Sequence, residues 1–143
     1  MSDRLGWVIT VLAVIGIVLS AVSVYNHYKK TPTEYCDFGE TFNCDAVNKS
    51  QYSHVGPVPV AAIGVAGYVF LLLLSRVKRE NKLVSALLIF SSLCATAFSG
   101  WLTYLEAKVL FQYCIICLGS LVCISLITLL AIVRHARTRE LVF

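Results

Sequence analysis

The run Phe111-Gln112-Tyr113-Cys114-Ile115-Ile116-Cys117-Leu118-Gly119 opens an apolar stretch that continues to Val133 without a Lys, Arg, Asp or Glu. A helix needs about 20 such residues to cross a bilayer core, within a range of about 17 to 25. Three other uncharged runs have similar length: Leu5 to Tyr25, Val58 to Leu74 and Leu83 to Leu105. Strands of this character would leave backbone groups unpaired in lipid unless they closed a barrel. A barrel would show alternating segments of about 10 residues, which this chain lacks. The expected fold class is therefore all-alpha: a transmembrane four-helix bundle. Its spans fall at approximately 5–25, 58–74, 83–105 and 111–133. The polar segment 26–57 forms an outer loop.

Composition supports this reading. Of the 143 residues, 58% are hydrophobic and only 14% charged, against roughly 25% charged in a soluble domain. Four spans leave little chain for anything else, so 1–143 reads as a single domain. The first run is longer than the 7 to 15 apolar residues of a signal-peptide core. It is read as a retained helix, with cleavage near Ala21 to Ser23 as the alternative.

Charge bias orients the bundle. Arg4, Arg76, Lys78, Arg79, Lys82, Arg134, Arg137 and Arg139 face Asp3, Glu80 and Glu140 on one side, a net of +5. The other side carries Lys29, Lys30, Lys49 and Lys108 with Glu34, Asp37, Glu40, Asp45 and Glu106, a net of −1. The basic side should be cytoplasmic, with both termini inside. The loop then faces the periplasm, the exterior or an ER-like lumen. Tyr25, Tyr28, Trp101, Tyr104 and Tyr113 cluster at the outer span ends and Trp7 at the inner one, where aromatic rings anchor at the interface. The bases thus set topology and need no nucleic-acid partner. No Asp, Glu, Lys or Arg lies within the spans, which argues against an ion pump or polar-substrate transporter.

Four of the six cysteines fall on the outer side, where disulfides persist. With a helix start near Tyr113, Cys114 occupies the first turn, where free amides and the helix dipole stabilise a thiolate. Cys117 lies one turn deeper on the same face. This is a thioredoxin-type arrangement at a membrane edge. Cys36 and Cys44 lie in a polar stretch with turns permitted at Gly39 and Asn43, expected to cap the bundle mouth. Cys44 can then approach Cys114, leaving Cys36 open to a partner. Two structural readings compete. A four-cysteine zinc knot is one, although seven residues between Cys36 and Cys44 is wide for such sites. A pair of structural disulfides is the other, but a Cys114–Cys117 bond closes a ring too small to restrain much. Cys94 and Cys123 read as packing residues. Ser50 reads as a turn or cap residue. His54 reads as a loop histidine with the option of shuttling a proton, and Glu106 and Asp37 as solvated charges near the mouth.

Taken in order, these elements resemble the vitamin K epoxide reductase family in its short single-domain microbial form. The set is Cys36-Asp37 with Gly39, Cys44, Ser50, Tyr52-Ser53, Val55-Gly56-Pro57-Val58-Pro59-Val60, Gly64, Gly67-Tyr68 and Cys114-Ile115-Ile116-Cys117. The resemblance covers nearly the whole chain. It implies a membrane thiol oxidoreductase that oxidises a thioredoxin-like partner, reduces a quinone and supports disulfide formation. By that resemblance Cys36 exchanges with the partner, Cys44 relays to Cys114, Cys117 faces the quinone, and Ser50 has a functional role. The quinone would be ubiquinone, menaquinone or vitamin K. Cys117, Phe111, Tyr113, Val60, Ala61, Gly64 and Leu121 are the expected pocket residues, and no metal is expected. Animal members place an asparagine and a tyrosine against the ligand. Matching through Gly64, Tyr68 and Cys117 puts Val60 and Leu121 at those positions, which points away from epoxide reduction. The rival from another class is a structural or adaptor membrane protein whose loop cysteines form structural disulfides only.

The orientation is directly testable. Cysteines introduced between Arg76 and Lys82 should react with a membrane-impermeant maleimide only from the cytoplasmic face. Labelling from the outside would reverse the assignment.

Overall fold

The structure is a computed structural model and describes residues 2–31, 34–39, 41–77 and 81–142. Lys78, Arg79, Glu80 and Glu40, used above in the charge count, lie outside the described residues. Four long helices make up the body. They are α1 (Ser2–Tyr28), α3 (Val60–Arg76), α4 (Lys82–Leu105) and α5 (Ile115–Val142). Between α1 and α3 lie β1 (Asp37–Phe38), β2 (Phe42–Asn43), the short α2 (Cys44–Asn48), β3 (His54–Val55) and β4 (Val58–Pro59). The chain is thus an all-alpha four-helix bundle capped by a disulfide-containing loop.

α1, α5 and the helical stretch from Lys82 to Leu110 are long and apolar enough to cross a membrane. α3 is the shorter apolar helix, with 17 residues. Large apolar side chains such as Phe90, Leu129 and Val18 are exposed on the bundle's outside. In water that surface would be costly, whereas lipid tails cover it without penalty.

α1 packs along both α3 and α5, and α4 packs on α5. The shared core holds Ile9, Ala13, Tyr68, Leu71, Leu88, Ile124, Ile127 and Ala131. Hydroxyls tie the helices together where apolar contacts alone would specify little: the Thr96 and Thr128 hydroxyls are 2.9 Å apart. The Tyr68 hydroxyl donates to the Ser120 carbonyl at 2.8 Å and also meets the Ser120 hydroxyl. That tyrosine lies so close to α1 that a Cβ on Gly16 would overlap its ring. Small residues at membrane helix interfaces permit this approach.

Two helix ends depart from the sequence expectation. α5 begins at Ile115, not at Phe111, and continues beyond Val133 through the basic tail to Val142. The cause is local. α4 passes into a π-helical turn, Glu106–Leu110, and Phe111 then adopts φ 53°, the left-handed region. That conformation is uncommon for a bulky residue and breaks the helix. The backbone of Tyr113 is next engaged by the loop, so it is lost to α5.

Replacing Gly16 by Ala should overpack the α1–α3 contact. We expect a loss of about 1–3 kcal/mol, read as a thermal midpoint lowered by several degrees in detergent. An unchanged midpoint would show that Tyr68 has room to move.

Candidate functional site

The loop builds the site from the backbone outward. β1 and β2 pair antiparallel, with Asp37 opposite Asn43 and Phe38 opposite Phe42. Gly39 sits at φ 69° in the turn, where a residue without a Cβ is at no disadvantage. The Asn43 side chain then accepts the Ala46 N–H at 3.0 Å and starts α2. An N-cap side chain of this type satisfies one of the otherwise orphaned amides. Cys44 is thereby the first residue of α2. It is joined to Cys36 in a disulfide with Cα atoms 5.6 Å apart.

The hairpin is fastened to the bundle by main chain. Tyr113 donates its N–H to the Thr41 carbonyl at 2.8 Å, and its carbonyl accepts the Asn43 N–H at 3.1 Å. Phe42 and Tyr113 form a parallel bridge, and their rings pack 6.1 Å apart. Because the bridge is parallel, the chains leave it in the same direction. One carries Cys44 and the other Cys114. Their sulfurs lie 3.2 Å apart, with the Cys114 thiol directed at the disulfide. Cys36, Cys44 and Cys114 are all fully buried, and their sulfurs lie within 4.8 Å of one another. Two of the three are joined to each other, so this oxidised arrangement offers no thiolate trio to a metal. It is the geometry that thiol–disulfide exchange needs, with a thiol beside a disulfide sulfur.

Cys114 is the residue before α5, one step outside the first-turn position expected of it. Its carbonyl accepts the Leu118 N–H at 2.9 Å, and its sulfur accepts the Cys117 N–H at 3.4 Å. The sulfur thus takes the part that a capping oxygen usually plays. Hydrogen bonding from the Cys117 thiol pulls Cys114 below the ordinary thiol value, against the opposing effect of burial. The Cys117 and Ile116 amides add to the lowering, while the nearby Glu106 charge opposes it.

Glu106 is the main departure from the sequence reading. It is 3% exposed, not solvated, and its carboxylate accepts the Cys114 N–H at 3.3 Å. No pattern in the sequence marked it. The π-helical turn that swings it under the CxxC cannot be read from residue types. Cys36 differs too, being sealed beneath the loop where an open thiol was expected.

Behind Cys117 lies a cavity of about 240 Å³ between α1, α2, α3, α4 and α5. Val60, Ala61, Gly64, Cys117 and Ser50 line it, but Phe111, Tyr113 and Leu121 do not. Phe111 is 73% exposed on the outer edge, Tyr113 is held against the hairpin, and Leu121 packs on the central core. Phe111 and Tyr113 precede α5, which starts only at Ile115. The Ser50 hydroxyl donates to the Val47 carbonyl at 2.9 Å, as a turn residue would. His54 is exposed, with its ring 6.5 Å from that of His27. Asp37 belongs to β1, but its side chain lies outside the described residues. Asn48, Ser23 and His27, none of them anticipated, also reach the cavity wall.

Comparison with protein families matches the chain to the Vitamin K epoxide reductase family over residues 7–132. That match takes in α3 and α4 whole, most of α1 and α5, and both cysteine pairs, and the chain belongs to this family. It is a membrane oxidoreductase, and its chemistry is of the disulfide and quinone kind.

Glu106→Gln keeps an acceptor for the Cys114 amide and removes a negative charge that disfavours the thiolate. The Cys114 titration should therefore move to lower pH, measured as the pH dependence of alkylation of the reduced protein. An unchanged titration would mean that Glu106 carries no charge when Cys114 ionises.

Proposed function

We propose that this member of the family oxidises the dithiol of a thioredoxin-like partner and reduces a quinone, supplying oxidising power for disulfide formation. The observation that carries the reading is the position of one cysteine pair. Cys114 meets the loop disulfide at 3.2 Å, while Cys117 lines the cavity behind it. A single CxxC thus borders both a disulfide and an apolar chamber.

The electron count closes at each step. The partner dithiol reduces Cys36–Cys44 and becomes a disulfide. The loop dithiol then reduces Cys114–Cys117, with Cys44 attacking Cys114, and is itself reoxidised. This passes two electrons inward and leaves the CxxC as two thiols. That is the state seen here: Cys36–Cys44 closed, and Cys114 and Cys117 free. The CxxC dithiol finally gives two electrons and two protons to the quinone and closes to a disulfide. Proximity of the sulfurs and a Cys114 thiol lowered below the usual value favour the exchange steps.

The cavity suits a quinone headgroup. Leu19, Val60, Ala61, Phe98, Leu102 and Ile116 supply apolar wall, and ligand sites of this kind pair such walls with a few polar groups. Val60 offers no hydrogen bond at its place in the wall, and Leu121 is turned into the core. This favours quinone reduction over epoxide reduction. The loop is assigned to the periplasm, the exterior or an ER-like lumen, from the charge bias and the disulfide it contains. Since Cys36 is buried, the partner reaches it only when the hairpin lifts from Tyr113.

The rival is a structural protein whose loop disulfide merely holds the cap. Purified protein, a reduced thiol donor and a quinone decide between them. Cys117→Ala should lower quinone reduction by more than about a hundredfold with the thermal midpoint retained. Under the rival, Cys117→Ala changes stability and no electron flow exists to lose. Failure of the intact protein to reduce any quinone with several thiol donors would sink the enzyme reading.

A further inference from the structure

We infer that Asn48 is the hydrogen-bond donor for a quinone carbonyl oxygen in the cavity behind Cys117. The inference rests on the quinone-reducing reading above and gives its pocket a polar anchor. Asn48 is 6% exposed and lines the cavity that Cys117 also lines. Its Oδ1 accepts the Ser23 hydroxyl at 2.8 Å. Its backbone carbonyl contacts Nδ1 of His27. The remaining group, the Nδ2 amide, has no partner among the described residues.

A buried amide without a partner costs about 1–3 kcal/mol, so its presence calls for a ligand that repays it. The chemistry of that ligand follows from the group. Nδ2 only donates, and Asn48 lines a mostly apolar chamber, so the fitting atom is an acceptor on an otherwise apolar body. A quinone carbonyl is such an atom. Its oxygen gains negative charge as electrons arrive, and a donor placed in advance is then worth more than in the resting complex. Ser23 and His27 hold Asn48 from α1, so the donor is fixed before the ligand enters. Val60 supplies no such group from α3, and Asn48 fills that lack from α2.

The test uses the full-length protein in detergent with a short-chain ubiquinone and with menadione as probes. Asn48→Leu should lower kcat/KM for each quinone about tenfold or more. Cys36–Cys44 should still be reduced by an added dithiol, read by thiol trapping, which places the loss on the quinone side. A second readout needs no turnover. The infrared carbonyl band of the bound quinone, isotope-labelled at its carbonyls, should lie below its free value in the wild type and return toward it in Asn48→Leu. Asn48→Asp, of equal size, replaces the donor with an acceptor and should act in the same direction if the leucine variant does not accumulate. Wild-type kcat/KM together with an unshifted band difference in the variants would overturn the assignment of Asn48 alone. Absence of quinone reduction in the wild type would instead remove the parent reading, and the carbonyl band would still report whether Asn48 holds a quinone.

Discussion

Two main-chain hydrogen bonds govern the functional end of this molecule. Tyr113 gives its N–H to Thr41 and takes that of Asn43. Each is an ordinary amide bond with a net worth of about 0.5–1.5 kcal/mol, yet together they set the register between the loop and the bundle. The residues that follow, Cys44 and Cys114, leave the bridge side by side, and their sulfurs meet at 3.2 Å. A slip of the hairpin by one residue would send Cys44 to the other face and end the contact. The same bonds explain why α5 starts late. Tyr113 cannot both pair with the hairpin and continue a helix, and the break leaves Cys114 to cap the helix with its sulfur.

Burial then sharpens what register begins. Three sulfurs sit out of water beneath the hairpin. The Glu106 carboxylate lies beside them, holding the Cys114 amide while opposing the Cys114 thiolate by its charge. Those effects have opposite signs. Without the carboxylate the thiolate would be better stabilised, whereas the backbone that aims the sulfur would lose a partner. Glu106 therefore moderates the thiol that the capping amides lower.

Much of this was legible in the residues. Uncharged runs disclosed the four helices, because lipid demands length and apolarity and little else. The cysteines disclosed the chemistry and even the approach of Cys44 to Cys114. The pocket was less legible. Phe111 and Tyr113, expected in it, lie on the outer edge and against the hairpin, and a left-handed φ at a non-glycine residue gives no compositional signal. Leu121 was placed by matching an animal-family position through Cys117, and here its side chain packs on the central core. Glu106 read as solvated because a carboxylate usually is, and only the π-helical turn places it inside. Asn48 lay three residues past Asp45 in a polar loop, where an asparagine is ordinarily a turn former. Its value depends on Ser23 and His27, which are more than 20 residues away in sequence.

Cys44 and Asn48 occupy the first and last positions of the same five-residue helix. α2 spans little more than one turn, so its two ends lie close together. A hairpin movement large enough to open Cys36 to a partner breaks the Tyr113 bonds and withdraws Cys44 from Cys114. It also pulls Asn48 from Ser23 and His27. With the loop seated, the proposed quinone donor is in place and the partner thiol is shut out. With the loop lifted, the reverse holds. On the proposed function, the partner-facing and quinone-facing half-reactions share one moving element, and their alternation follows from the length of α2.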